Sequence, residues 1–147
     1  ILARPDNYLM VDKINNMVKK RDFWMPFAPS ILENYFNDFV KDNKKTKPYF
    51  MTQAFETLQN SETKKIIAAC HIRDKTIRPQ IVSKLSNYLY WDLINKFRIK
   101  SKIPALLNTS FNLHGFPIVE TATDAINVFK KSGIDALVLN NYLILKK

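Results

Sequence analysis

Cysteine is almost missing from this 147-residue chain, where Cys70 stands alone. A single thiol excludes an internal disulfide framework and any zinc site built from several cysteines, and it fits a reducing, cytoplasmic setting. Long apolar runs are missing as well. None approaches the roughly 20 residues that a membrane-spanning helix requires, so no membrane role is expected. The chain has no dense carboxylate cage, so no metal site made by the protein itself is expected. It also lacks an internal repeat and a low-complexity tract. The first residues, Ile1-Leu2-Ala3-Arg4-Pro5-Asp6, show neither an initiating methionine nor a signal-peptide layout, and the chain is expected to be a piece of a longer protein.

What remains is a globular composition, 46% hydrophobic and 12% aromatic. At this length it can close one hydrophobic core, so residues 1–147 are expected to form a single domain. The net charge of +10 would attract phosphates whatever the fold. Its lysines, however, are spread over residues 41–47, 64–65, 96–102, 130–131 and 146–147, with no aromatic interleaving and no arginine stripe. That distribution reads as a solvated surface, and nucleic acid is not the expected partner. An anionic small molecule draws on the same charge.

Hydrophobic spacing predicts a helix over residues 8–20 that delivers Lys19 and Arg21 at its C-terminal end. Pro26 and Pro29 make residues 23–31 extended, and 33–40 reads as a short amphipathic helix. Residues 49–55 and 66–72 read as strands, the second forming a hairpin with the extended stretch 76–82 and bringing His71, Thr76 and Arg78 together. A polar, helical lead-in at 61–65 precedes it. The strongest helix covers about 86–100, followed by a buried strand at 103–107. Thr121 with Asp124 caps a helix that Gly133 would close in a left-handed conformation. A hairpin around Asn140-Asn141 ends the chain. The sum is an α/β (α+β) domain with a mixed sheet.

Chemistry concentrates at the end of the buried strand, where Asn108-Thr109-Ser110-Phe111-Asn112 offers hydroxyls, amides and free N–H groups. Cations lie beside other apolar segments, in Lys19-Lys20-Arg21 and in Arg73-Asp74-Lys75-Thr76 with Arg78. Cys70 precedes His71, but neighbours on a strand face opposite ways, so Cys70 reads as a small core residue.

Taken with Pro26-Phe27-Ala28-Pro29-Ser30, with His71 to Gln80 and with Gly115-Phe116-Pro117-Ile118-Val119, these segments follow an order that resembles the C-terminal domain of the O-carbamoyltransferases of the nodulation-factor and antibiotic-tailoring family. The resemblance covers nearly the whole chain. It implies a fold similar to YrdC proteins, a twisted mixed sheet with three to four flanking helices. It implies binding of ATP, with magnesium carried by the nucleotide, and of carbamoyl phosphate, to make a carbamoyl-adenylate. A separate N-terminal, metal-binding domain of the actin-like ATPase type would then carbamoylate a small-molecule hydroxyl.

The K-x-R and S-x-N pair of the YrdC relatives matches Lys19-Lys20-Arg21 and Ser110-Phe111-Asn112. On this reading Lys19, Arg21 and Arg78 are catalytic cations, and Ser110, Asn112, Thr76, His71 and Thr109 bind nucleotide or carbamoyl phosphate. Adenylation needs charge neutralisation and alignment, which such residues supply without a covalent nucleophile. The chain departs from the family at Met25 and Phe116, where arginine and glutamate are usual, and at Asp22, where glutamate is usual. Residues 72–75 replace a tighter turn, and Arg73 or Lys75 could stand in for the cation absent at 25.

Each assignment has a structural alternative. Lys19 and Arg21 could cap a helix, Arg78 could pair with Asp74, Ser110 and Asn112 could form a turn, and His71 could be a satisfied structural histidine. Two other functions stand beside the enzyme. One is a YrdC-like RNA- or nucleotide-binding regulatory module, favoured by the lysine excess. The other is a lid or homodimerisation surface.

Overall fold

The computed structural model describes residues 1–20, 25–41 and 46–146. In chain order the elements are β1 (Leu2–Ala3), α1 (Leu9–Ile14) running into a π-helical turn (Asn15–Lys19), β2 (Ala28–Leu32), a 3-10 helix (Glu33–Asp38), β3 (Phe55–Glu56), α2 (Ser61–Lys64), a 3-10 turn (Ile67–Ala69), β4 (Thr76–Ile77), β5 (Gln80–Val82), α3 (Tyr88–Ser101), β6 (Ala105–Asn108), α4 (Ala122–Lys131), β7 (Ala136–Leu139) and β8 (Tyr142–Leu145). The architecture is mixed α/β, as the sequence pattern predicts. Among the described residues no helix is long and apolar enough to cross a membrane.

Four strands make the central sheet in the order β1-β6-β2-β5, with β2 and β5 parallel and the other neighbours antiparallel. Side chains alternate across a strand, so each face is fixed by register. One face carries Ile31, Ile81 and Ala105 into a core with Phe36, Phe39, Phe55, Ile66, Cys70 and Ile77. The opposite face carries Leu32, Val82 and Leu106 against Ile94 of α3. That face also holds Ser30, Gln80 and Asn108, because Ser30 pairs with Gln80 and Leu106, while Asn108 pairs with Ala28.

The register has a second consequence. β2 and β5 begin, and β6 ends, at the same edge of the sheet. The segments before β2, before β5 and after β6 are therefore neighbours in space, although they are far apart in sequence. The described residues that directly adjoin these strand ends therefore emerge at one end of the sheet.

Local structure departs from expectation in five places. The helix expected over 8–20 is α-helical only to Ile14; one wider turn follows, closed by Lys20 N–H to Asn15 O at 2.7 Å, and Lys20 then turns left-handed at φ 44°. Residues 66–72 are not a strand. Ala68, Ala69 and Cys70 are small, with little preference for a pleated surface, and they coil into a 3-10 turn whose Ala68 N–H donates to Pro5 O. The expected hairpin between 66–72 and 76–82 therefore does not form. Within 49–55, Met51 adopts φ 56°, which breaks an extended run, and only Phe55–Glu56 pairs, with β4. Residues 33–38 wind as a 3-10 rather than an α-helix.

The remaining helices follow their signals. Asn87 accepts from Tyr90 N–H to open α3, and Thr121 and Asp124 form a reciprocal capping box on α4. α4 packs on the β7–β8 hairpin through Ala125, Phe129 and Leu137, and Lys13 bonds Asp135 at 2.8 Å to fasten this unit to α1.

The fifth departure is Gly133, which does not take the left-handed conformation; Ser132 ends α4 with φ −100°. Glycine is needed there for room, since a Cβ would run into the Met17 side chain. Gly133→Ala should cost about 1 kcal/mol, near the lower end for overpacking because Met17 is flexible. Urea denaturation should show that Met17→Ala recovers most of that loss in the double variant. Equal losses with and without Met17 would refute the steric account.

Candidate anion-binding site

The π-helical turn decides where Lys19 goes. Inserting an extra residue into one turn rotates the last side chain relative to a regular helix. Lys19 thereby points inward and is only 2% exposed. Its Nζ donates to Ser110 Oγ at 2.9 Å, Asn112 Oδ1 at 2.5 Å and Asn112 O at 3.3 Å. A buried ammonium is tolerated only where its protons find acceptors, and these oxygens provide them.

The acceptors are themselves held. Ser110 Oγ donates to Asn112 Oδ1 at 2.7 Å, and Asn112 Nδ2 donates to Phe116 O at 2.7 Å and Leu113 O at 3.1 Å. The Asn112 amide is thus locked with its oxygen toward Lys19. His114 N–H reaches Val18 O and Val119 N–H reaches Phe111 O, so the 110–119 loop is tied to the helix that carries Lys19. Gly115 makes the turn at φ 77°, a conformation that side chains disfavour. Thr109 continues the ladder, with its N–H donating to Ile1 O.

The other expected residues fall in two groups. His71 and Thr76 meet through Asp74: its Oδ1 lies 2.9 Å from His71 Nδ1 and accepts from Thr76 N–H at 2.9 Å and Thr76 Oγ1 at 2.8 Å. Arg78 is exposed between β4 and β5 and is not Asp74's partner, so the alternative pairing with Asp74 is absent. Arg21 and Asp22 lie outside the described residues. Cys70 is a core residue; burial pushes its thiol up to about 11, and no nucleophile pair with His71 forms.

One cluster was missing from the sequence reading. Asn108 Nδ2 donates to Ser30 Oγ at 3.1 Å and Gln80 Oε1 at 3.4 Å, while Ser30 Oγ donates to Gln80 Oε1 at 2.9 Å. Three strands are cross-linked by polar side chains where the same face otherwise holds Leu32, Val82 and Leu106. Three polar residues sharing one face of apolar strands are the signal that could have found it. Beside it runs a groove of about 400 Å³ lined by Tyr49, Phe50, Gln80, Ser86, Asn87 and Tyr90. The Tyr90 hydroxyl lies near Ser30 without reaching hydrogen-bonding geometry, and burial pushes the phenol up to about 12.

The family described as carbamoyltransferase C-terminus matches residues 1–146. The chain belongs to it. Nodulation protein NolNO of Sinorhizobium fredii is 40% identical over 100% of this chain, and Nodulation protein NolO of Bradyrhizobium diazoefficiens is 38% identical over 100%. An uncharacterized protein of Methanocaldococcus jannaschii is 47% identical over 92% of the chain. The chain spans 22%, 27% and 25% of those relatives' lengths, respectively. The Lys19 cluster and the strand-end polar row are therefore features of the C-terminal carbamoyltransferase unit in this chain.

Asp74 gives this edge a pH response. Bonds from the Thr76 N–H, then its hydroxyl, and then His71 hold the Asp74 carboxyl below its usual range. Because the folded value is depressed, the stabilisation is complete above the unfolded value of about 3.9 and is lost as pH falls through the folded one. Titration of the Asp74 side-chain carboxyl by NMR should give a midpoint below about 3.9, and Thr76→Val should move it upward. A midpoint at or above the unfolded value would overturn this account of the turn.

Proposed function

We propose that this domain binds ATP and carbamoyl phosphate and forms a carbamoyl-adenylate for transfer to an acceptor hydroxyl, the transfer itself belonging to a longer protein. The observation that carries the reading is the meeting of Lys19 with Ser110 and Asn112 at the end of the sheet where the residues adjoining β2 and β5 also emerge. Family membership supports the same chemistry.

In this reading water cleaves the P–O bond of carbamoyl phosphate to give carbamate and inorganic phosphate, and a carbamate oxygen then bonds to the α-phosphorus of ATP as the bond to pyrophosphate breaks. The reacting groups are anions throughout. The work for the protein is neutralising charge and holding oxygens in line. Lys19 supplies a point charge that the surrounding fold already holds, so little reorganisation is needed when phosphate arrives. A phosphate oxygen competes with Asn112 Oδ1 for the Lys19 ammonium and the Ser110 hydroxyl, so the amide oxygen keeps both donors aimed at one spot until then. Arg78, exposed just before β5, is assigned the role of gripping an anion with a bidentate fork, and Arg21 is assigned the same role from its sequence motif. Thr109, Thr76 and His71 line the approach. Any magnesium would travel with the nucleotide; the ammonium, hydroxyl and amide here suit an anion.

Isothermal titration with carbamoyl phosphate and with a non-hydrolysable ATP analogue tests the proposal. Lys19→Met and Ser110→Ala should each weaken binding by about tenfold or more, equivalent to ~1.4 kcal/mol. Unchanged affinity in both variants would overturn it. The net charge of +10 favours the RNA-binding alternative. A gel shift with generic RNA that is steeply salt-dependent and indifferent to ATP would select that alternative instead.

A further inference from the structure

The Ser30–Gln80–Asn108 cluster has unused hydrogen-bonding capacity. Within it, Gln80 Oε1 accepts twice and Asn108 Nδ2 donates twice. Gln80 Nε2 and Asn108 Oδ1 have no hydrogen-bond partner among the described residues, and both side chains are half-buried. The cluster therefore leaves one donor and one acceptor uncommitted on two amides that meet at the same end of the sheet. Turning both amides over together preserves the bonds to Ser30 and leaves again one donor and one acceptor. The pairing follows from the geometry and not from which amide end is nitrogen.

A donor beside an acceptor is the complement of a primary amide, whose own oxygen and NH2 group lie side by side. Asn108 ends β6 two residues before Ser110, a separation of at most about 7 Å for extended chain. A phosphate on Lys19 and Ser110 thus has an amide-reading pair one group's length away. Resting on the proposed function, we infer that Gln80 and Asn108 are specificity-determining residues that recognise the carbamoyl group of carbamoyl phosphate by its C(=O)NH2 edge. Ser30, 0% exposed, braces both amides from beneath and is a positioning residue. An acyl phosphate with a methyl group in place of NH2 would leave one amide of the pair without a partner, and this is the kind of mismatch that binding sites reject strongly.

The test is titration of the protein with carbamoyl phosphate, acetyl phosphate and inorganic phosphate. The wild type should bind carbamoyl phosphate about tenfold or more tightly than acetyl phosphate. Gln80→Met should lower carbamoyl phosphate affinity about tenfold and leave inorganic phosphate within about twofold, since Gln80 is assigned no contact with the phosphate. Retained binding of inorganic phosphate by Gln80→Met guards against misfolding, since an unfolded variant would lose both ligands. Equal affinity of the wild type for both acyl phosphates would refute the inference, as would a Gln80→Met variant that loses phosphate and carbamoyl phosphate in parallel. A protein whose phosphate binding ignores Lys19→Met would instead sink the proposed function on which the inference rests.

Discussion

The buried ammonium of Lys19 is the constraint around which this end of the molecule is arranged. Taking a lysine to 2% exposure carries a desolvation penalty that packing alone does not return, so its surroundings must supply oxygens in fixed positions. The local irregularities are read as serving that requirement. The π turn swings the side chain inward, the left-handed Lys20 ends the helix at once, and the Asn112 amide is pinned from behind by the carbonyls of 113 and 116. The bond from His114 N–H to Val18 O joins the two halves of the arrangement, so neither the helix end nor the loop can shift alone.

Sheet topology makes the arrangement possible over long sequence separations. A parallel β2–β5 pair flanked by antiparallel β6 sends two strand starts and one strand end to the same edge. Lys19 and Ser110 are 91 positions apart, and Ser30 and Gln80 are 50 apart, yet each pair is within hydrogen-bonding distance. The opposite end of the sheet is apolar on both faces, closed by the aromatic core on one side and α3 on the other. Polar chemistry is thus confined to one edge, which leaves the rest of the fold free to provide rigidity.

The features that were legible in the sequence share a property: their physical cause is local. Caps, period and turn residues set α3, α4 and the final hairpin, and contiguous motifs marked Lys19, Ser110 and Asn112. What was not legible depends on neighbours far along the chain. The run 66–72 is apolar enough for either a strand or a buried turn, and contact with Pro5 settles it as a turn. Gly133 reads as a helix terminator, although its real constraint is Met17 across the interface. Asp74 offers itself from the sequence as an alternative partner for Arg78, but hydroxyl, amide and imidazole groups within its own turn reach it instead. Gln80 and Ser30 lay inside recognised motifs and still drew no role, because only the register puts them opposite each other.

The same distinction explains which departures from the family pattern matter. At position 116 the loop uses the backbone: the Phe116 carbonyl accepts from Asn112, while its side chain is 66% exposed. A change from glutamate to phenylalanine therefore leaves the lock on Asn112 intact and removes only a surface charge. Position 25 is different, because Met25 carries no charge where the family resemblance implies arginine. Of the two candidate replacements, Lys75 is committed to the Ile72 carbonyl at 2.7 Å by a backbone with φ 57°, whereas Arg73 is exposed on the same turn. The turn consumes Lys75 in holding its own shape, and Arg73 is the cation on it that stays exposed.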